Sequence, residues 1–258
     1  MYEKSIDAYQ YAVAIDDKFD YAYRNMGDAY LRLRKYKEAV EVLEKVVSLT
    51  RPEDVIYEAI GHCYHKMGKI AQARFYYKKA VHLNPDDSKL YYKIATTYML
   101  EKQWQPAIKQ LENAMRMHRA ITEYNLAMGE CKLNLGQFKE AVHYFGVVVK
   151  HKPKNVSGWE ALINCLLAAE YYDEALLQSN NALVATDHKP IFLFYHSAIL
   201  FIIGKSKEGL ILLEQAMVAS PKLLKKFIDI KTFYYFRGCK SIFSTNSFNC
   251  DKPTPFFS

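Results

Sequence analysis

The feature that most constrains this chain is a pattern of small and large residues that returns every 34 residues. One copy runs from Asp54 to Asp87 and reads DVIYEAIGHCYHKMGKIAQARFYYKKAVHLNPDD. Small, apolar and aromatic residues recur there at intervals of three and four, first over 57–64 and again over 73–80, which is typical of one face of a helix. Gly68 separates the two runs, and Pro85 closes the second because proline cannot donate the next helical N–H. Each copy therefore predicts two helices joined by a short turn.

Equivalent positions keep their size from copy to copy. A small column in the first helix holds Gly27, Gly61, Ala95, Gly129, Ile163 and Ser197. A second small column, in the second helix, holds Ala39, Ala73, Ala107, Ala141, Ala175 and Gly209. A large column in the second helix holds Leu43, Tyr77, Leu111, Phe145, Ser179 and Leu213. Small residues that face large ones let two helices approach closely, so the columns predict packed hairpins. Departures from the pattern predict looser or atypical packing in the last two units. They are Lys132, where the first three copies have tyrosine, together with Ile163, Ser179, Ser197 and Gly209.

This spacing resembles the tetratricopeptide (TPR) repeat, whose units are 34-residue helix–turn–helix hairpins. The resemblance covers about Asp20 to Pro221 and implies an all-α, right-handed superhelical solenoid. It predicts a solenoid domain over residues 1–231, built from an N-terminal half-unit, about six full units and a C-terminal helix. The full units are predicted at about 20–53, 54–87, 88–121, 122–155, 156–189 and 190–221.

The two ends of the chain depart from the regular units. Residues 2–17 look like the second helix of a unit whose first helix is missing, so the chain is expected to be a piece of a longer array. A half-unit that serves as a native cap is the alternative. Residues 232–258 show no helical period and are expected to be irregular, disordered or foreign to the repeat protein. Their aromatic residues also lead us to expect self-association through the C-terminal end.

Charge and cysteine content narrow the class of partner and compartment. The net charge is +7, but residues 222–258 carry +5 of it, so the repeat body is nearly neutral. A nucleic-acid groove needs a concentrated basic stripe, so no nucleic-acid partner is expected. Equivalent positions in neighbouring repeats lie about 10 Å apart, too far for a disulfide, so Cys63, Cys131 and Cys165 are expected to fill the core. We see neither a secretory leader nor an apolar run of about 18 residues, so a cytoplasmic protein without a membrane partner is expected.

Catalytic and cofactor-binding motifs are missing from the sequence. It has no glycine-rich phosphate loop, no nucleophile-elbow serine and no paired CxxC, so we predict no catalytic residue and no cofactor. The one metal candidate is Glu58, His62 and His65, which project from one side of one helix. This spacing lacks the HExxH glutamate and the next helix supplies no obvious further ligand, so a hydrated polar groove is favoured and no metal site is predicted.

The resemblance implies that the first helices line a concave groove that takes extended peptides or helices. Residues one, four, eight and eleven places into each first helix are expected to face it. The predicted groove residues are Tyr21, Arg24, Glu58, His62, His65, Lys89, Tyr92, Glu123, Leu126, Glu130, Leu133, Glu160, Asn164, Leu167, Phe194 and Phe201. The middle of this set is acidic and its C-terminal end is apolar. A protein or peptide ligand with basic residues and apolar anchors is therefore favoured.

Chaperone-binding TPR domains hold a C-terminal carboxylate with a Lys/Asn/Arg clamp, and this chain matches that clamp only in part. The corresponding positions carry Arg24, Asp28, Ala59, Lys89 and Lys93. Asp28 would repel a carboxylate. Carboxylate capture is therefore less favoured than binding of a basic ligand.

The sequence thus predicts a non-enzymatic interaction scaffold that binds a protein segment in its groove. The main alternative is the substrate-recruiting TPR region of a larger enzyme whose catalytic domain is absent here. An RNA-binding array is a third hypothesis, disfavoured because the predicted groove is acidic. A solvated groove, with the functional contact elsewhere, is the simplest competing interpretation.

Overall fold

The computed structural model describes residues 2–51 and 53–223, and within them it contains thirteen α-helices and no strand. The helices are α1 (Tyr2–Ile15), α2 (Asp20–Arg32), α3 (Tyr36–Leu49), α4 (Asp54–Lys66), α5 (Ile70–Leu83), α6 (Ser88–Leu100), α7 (Trp104–Met117), α8 (Thr122–Asn134), α9 (Phe138–His151), α10 (Val156–Ala168), α11 (Tyr172–Ala185), α12 (Pro190–Ile202) and α13 (Ser206–Ala219). Each odd-numbered helix from α3 onward begins 34 residues after the previous one, and so does each even-numbered helix after α2. The predicted all-α repeat is confirmed helix by helix.

Helix α1 occupies the position of a second helix in the repeat. It begins at Tyr2, 34 residues before α3 begins at Tyr36, and it packs against α2. The predicted N-terminal half-unit is therefore confirmed.

All six first helices end in the same hydrogen-bonded turn. In the second repeat, the Lys69 N–H donates to the Tyr64 carbonyl at 2.9 Å, and the Gly68 N–H donates to the His65 carbonyl at 3.0 Å. This pair closes a helix end with one residue in the left-handed region. Glycine holds that position at 68, 136 and 204, with φ of 74°, 73° and 83°. The equivalent residues Arg34, Lys102 and Glu170 adopt φ of 59°, 56° and 61° without being glycine.

Small and large residues meet inside the hairpins, as their columns predict. A Cβ built on Gly27 would lie 2.6 Å from Leu43 Cδ2, and one built on Gly61 would lie 2.7 Å from the Tyr77 ring. Leu43 and Tyr77 are themselves buried. Burial of such a side chain contributes about 1.5 to 3 kcal/mol, so the close approach that glycine permits stabilises the hairpin.

The chain divides into two compact units, Met1–Tyr144 and Phe145–Ser258, with the boundary inside α9. In the first unit each helix from α1 to α8 packs against the next one along the chain, and α6 also contacts α8. In the second unit α10 packs against α11, α11 against α12, and α12 against α13. The first helices α2, α4, α6 and α8 therefore supply the predicted groove residues of the first unit.

Ser179 and Ser197, two polar departures from the small and large columns, are buried and hydrogen-bonded. Ser179 is fully buried and its hydroxyl lies 2.7 Å from Nδ1 of His196, which replaces an apolar residue in the facing helix. The Ser197 hydroxyl donates to the Gly209 carbonyl at 2.8 Å. Both buried hydroxyls therefore have hydrogen-bond partners, one a side chain and the other a backbone carbonyl, and these two positions are atypical in their chemistry.

Several sequence predictions concern the C-terminal end. The predicted C-terminal helix to residue 231, the irregular tail 232–258 and self-association through that end lie outside the described residues. Among the helices that are described, none is both long and apolar enough to cross a membrane. Cys63, Cys131 and Cys165 are buried thiols, as predicted, and burial raises their pKa to about 11, 12 and 11.

Candidate functional site

The first unit contains four first helices, α2, α4, α6 and α8. Two of them, α6 and α8, contact each other through a pair of tyrosines. Tyr92 of α6 is half-buried, and its ring centroid lies 5.1 Å from that of Tyr124 on α8. Tyr124 is buried, with its hydroxyl 3.0 Å from the Ser88 hydroxyl. The buried tyrosine thus supports the more accessible one, and it is a residue that the groove prediction did not include.

The charges of two glutamates of α8 act on the phenol of Tyr92. Burial raises the pKa of the Tyr92 phenol, and the charges of Glu123 and Glu130 raise it further. Both glutamates are exposed as residues, although partial desolvation of its carboxyl raises the pKa of Glu130. Within residues 2–51 and 53–223, no basic group lies within 4.0 Å of either carboxylate.

Two partly buried leucines complete this surface. Leu126 and Leu133 alternate with the glutamates at steps of three and four residues along α8, which places the four on one side of the helix. We call Tyr92, Glu123, Leu126, Glu130 and Leu133 the acidic face. It combines apolar area with two carboxylates that form no ion pair with any of the described residues.

Two cations at the clamp positions, Arg24 and Lys93, form ion pairs within the chain. The Arg24 guanidinium donates to both carboxylate oxygens of Glu53, at 2.7 and 3.0 Å, and also lies 3.4 Å from Asp20. The hydrogen bond with Glu53 raises the pKa of Arg24 and lowers that of Glu53. Lys93 likewise forms an ion pair with Glu58.

These pairs bear on carboxylate capture. Arg24 and Lys93 are two of the three cations that could form the clamp, and each already binds a carboxylate of this chain. Lys89 is exposed, and its backbone N–H donates to Asp87 Oδ1 at 2.8 Å. Among the described residues its ammonium group forms no ion pair. A ligand carboxylate would therefore have to compete with two intramolecular ion pairs.

The histidines of α4 form a polar cluster without metal geometry. His62 and His65 are partly buried, and burial followed by the charges of Lys93 and Lys66 lowers the pKa of His62. Burial also lowers the pKa of His65, together with the same two lysines. Nowhere in the described part of the chain do three His, Cys, Asp or Glu side chains come together as a metal site would need. The carboxylate of Glu58 forms an ion pair with Lys93.

Tyr21 and Asn164 are two further predicted groove residues, and each contacts a neighbouring side chain. Tyr21 is exposed on α2, with its ring 6.0 Å from that of Phe19. In the second unit, the Asn164 amide donates to the Tyr195 hydroxyl at 3.0 Å. Burial raises the pKa of that tyrosine, and the charge of Glu160 raises it further.

The predicted apolar end of the groove is largely covered. Leu167 is 7% exposed and Phe194 is 2% exposed, while Phe201 is partly buried. Side chains so deeply buried leave little surface for a ligand.

Two family models match the sequence of this chain. A model described as "Psidin, N-terminal TPR repeats region" matches residues 26–128, and one described as "Tetratricopeptide repeat" matches residues 126–189. Together they span five of the six hairpins in whole or in part. No curated protein matches the chain in sequence at a significant level.

Several solved structures share the fold. The C-terminal part of a TPR repeat-containing protein from Cytophaga hutchinsonii superposes with a TM-score of 0.76 at 16% identity, covering 92% of this chain and 95% of that one. YrrB, described as a TPR protein with an unusual peptide-binding site, gives a TM-score of 0.60 at 19% identity, covering 73% and 97%. MamA gives 0.57 at 22% identity, covering 59% and 90%.

Proposed function

Because this chain belongs to the tetratricopeptide repeat family, we propose that it is a non-enzymatic interaction scaffold that binds a protein segment on the acidic face. The segment carries lysine or arginine toward Glu123 and Glu130, with an apolar residue beside Leu126 and Leu133. The observation that carries this proposal is the unequal pairing of charge. Arg24 and Lys93, two of the cations at the clamp positions, hold intramolecular partners, whereas the two glutamates of α8 have none among the described residues.

The chemistry of the face supports a cation over an anion. A carboxylate approaching Glu123 and Glu130 would meet two like charges, whereas an ammonium or guanidinium group would meet two partners. The half-buried ring of Tyr92, whose pKa is raised by burial and by the charges of both glutamates, adds a surface on which a cation can stack. The leucines supply apolar area, which contributes affinity, while the charges fix the orientation of the ligand.

The expected energies are modest because the face is exposed. An exposed ion pair contributes about 0.2 to 1 kcal/mol, and replacing a carboxylate with lysine adds repulsion to that loss. Reversal of both glutamates should therefore weaken a basic ligand by more than about 1 kcal/mol, a factor of about five or more in Kd.

The test is a selection of random peptides displayed on phage against the full chain. We expect enriched peptides to contain lysine or arginine next to an apolar residue, and to bind at least about fivefold more weakly to the Glu123→Lys/Glu130→Lys variant. Glu41→Lys/Glu112→Lys is the matched control, because it makes the same change of charge at two exposed positions of second helices. That control should leave the affinity nearly unchanged.

Three results would count against the proposal. Enrichment of acidic peptides would contradict the charge assignment. Equal weakening by both double variants would indicate long-range attraction rather than contact with the acidic face. Failure to enrich any peptide would favour the alternative in which this chain is the substrate-recruiting part of a larger enzyme.

A further inference from the structure

The second helices carry two outward-facing columns that the repeat fold leaves free to vary. The first column holds Glu41, Phe75, Lys109, His143, Leu177 and Ile211. The second column holds Ser48, His82, Arg116, Lys150, Val184 and Val218. All twelve residues are exposed. On α3, α5, α7 and α9, seven of the eight residues in these columns are charged, polar or histidine. The hairpins therefore do not need apolar side chains at these positions.

The last two second helices depart from this rule together. On α11, Leu177 and Val184 are 57% and 67% exposed, and on α13, Ile211 and Val218 are 58% and 85% exposed. Each pair is seven residues apart, which is two helical turns or about 10.5 Å along one side of its helix. Both helices pack against α12 within the same compact unit. We call these four aliphatic residues the outer strip.

The surroundings of the outer strip are acidic. Asp173 and Glu174 precede Leu177 by one helical turn, Glu208 precedes Ile211, and Glu214 lies between Ile211 and Val218. All four are exposed, and none takes part in an ion pair within the described residues. The one basic residue in these two helices is Lys207.

We propose that the outer strip docks an amphipathic, basic α-helix of another protein. Aliphatic residues two turns apart match the spacing with which such a helix presents its apolar side. Lysine and arginine flanking that side would meet the four carboxylates. A second copy docked through the same strip would instead bring two acidic rims together, and an anionic membrane would be repelled. This surface does not depend on the acidic face or on the function proposed for it.

The probe is a fluorescent amphipathic peptide of about 18 residues, with leucine along one helix face and lysine elsewhere, compared with a scrambled peptide of the same composition. Binding to the full chain is measured by anisotropy. We expect the amphipathic peptide to bind about tenfold or more tightly than the scrambled one, and the Leu177→Ser/Ile211→Ser variant to lose at least about fivefold. Phe75→Ser is the matched control, since it removes an exposed apolar residue from the same column in the first unit.

The rim is tested separately. Glu208→Gln/Glu214→Gln should weaken the amphipathic peptide about threefold and reduce the salt dependence of its affinity. Since every substituted side chain is exposed, the circular dichroism spectrum should stay unchanged in all variants.

Other outcomes overturn the proposal. Equal affinity for wild type and Leu177→Ser/Ile211→Ser would remove the outer strip as the binding surface, as would a loss of binding only in Glu123→Gln/Glu130→Gln. Sedimentation that shows a wild-type dimer abolished by Leu177→Ser/Ile211→Ser would make a second copy the occupant. No preference for the amphipathic over the scrambled peptide would also contradict a docked helix.

Discussion

Replacing Gly61 with alanine tests whether the small and large columns hold the hairpins together. The added Cβ would lie 2.7 Å from the ring of Tyr77 and 3.2 Å from the Ala73 carbonyl oxygen. Tyr77 is 1% exposed, so its ring cannot swing into solvent without losing its burial. Overpacking of this kind costs about 1 to 3 kcal/mol. Alanine returns about 1 kcal/mol through its higher helix propensity.

Gly146→Ala is the matched control. Gly146 lies inside α9, and a Cβ built there meets no atom within 4 Å. The same substitution should therefore stabilise the chain by about 1 kcal/mol. We expect Gly61→Ala to destabilise it by up to about 2 kcal/mol, which leaves the two variants about 1 to 3 kcal/mol apart.

The assay is urea unfolding followed by circular dichroism, with the free energy of unfolding compared at a common urea concentration. The Tyr77→Leu background provides a further check, because Ala95 and Leu111 are both buried at the equivalent positions of the third repeat. Gly61→Ala should cost at least about 0.5 kcal/mol less in that background. If Gly61→Ala stabilises the chain as much as Gly146→Ala does, the packing role of the small column is refuted.

Three further predictions concern the turns, the thiols and the histidines. Lys102→Gly should stabilise the chain by about 1 kcal/mol in urea unfolding, since a non-glycine residue in the left-handed region is strained, and a destabilised variant would contradict this. Burial raises the pKa of Cys63, Cys131 and Cys165, so a thiol reagent at pH 8 should label these cysteines slowly in the folded protein. Fast labelling without unfolding would contradict this prediction. His62, His65 and His196 have a folded-state pKa below the ordinary value near 6.5, so the unfolded chain binds more protons than the folded chain at mildly acidic pH. The urea midpoint should therefore fall when the pH is lowered from about 7.5 to about 5.5. The decrease should be smaller after all three histidines are replaced with glutamine.

The helix positions could be predicted because the repeat supplies the same information several times. Each first helix pairs a small residue with a large one in the next helix, so Gly61 and Tyr77 identify the hairpin before any contact is known. Local chemistry then fixes the ends, as where Gly68 takes the left-handed backbone that closes α4. One 34-residue copy is ambiguous, but successive copies in register are not.

The candidate binding residues were less predictable, because their availability depends on ion pairs with other side chains and on burial by neighbouring helices. The sequence places Arg24 and Lys93 near a groove, but nothing in the period shows that Glu53 and Glu58 neutralise them. Apolar residues are spread around most of helix α12, so periodicity cannot separate a ligand-facing Phe194 from a core residue. The exchange of two core residues for the Ser179–His196 pair is likewise invisible without the structure, since the two positions lie in different helices.

The most direct test of a basic ligand on the acidic face is a complementary reversal of charge. A selected lysine-containing peptide and a version with glutamate in place of lysine would each be titrated calorimetrically against wild type and Glu123→Lys/Glu130→Lys. We expect the lysine peptide to bind wild type and the glutamate peptide to bind the variant, each at least about fivefold more tightly than the mismatched pair. If the lysine peptide binds both proteins equally, its charge does not contact Glu123 and Glu130, and the proposed function of this face is contradicted.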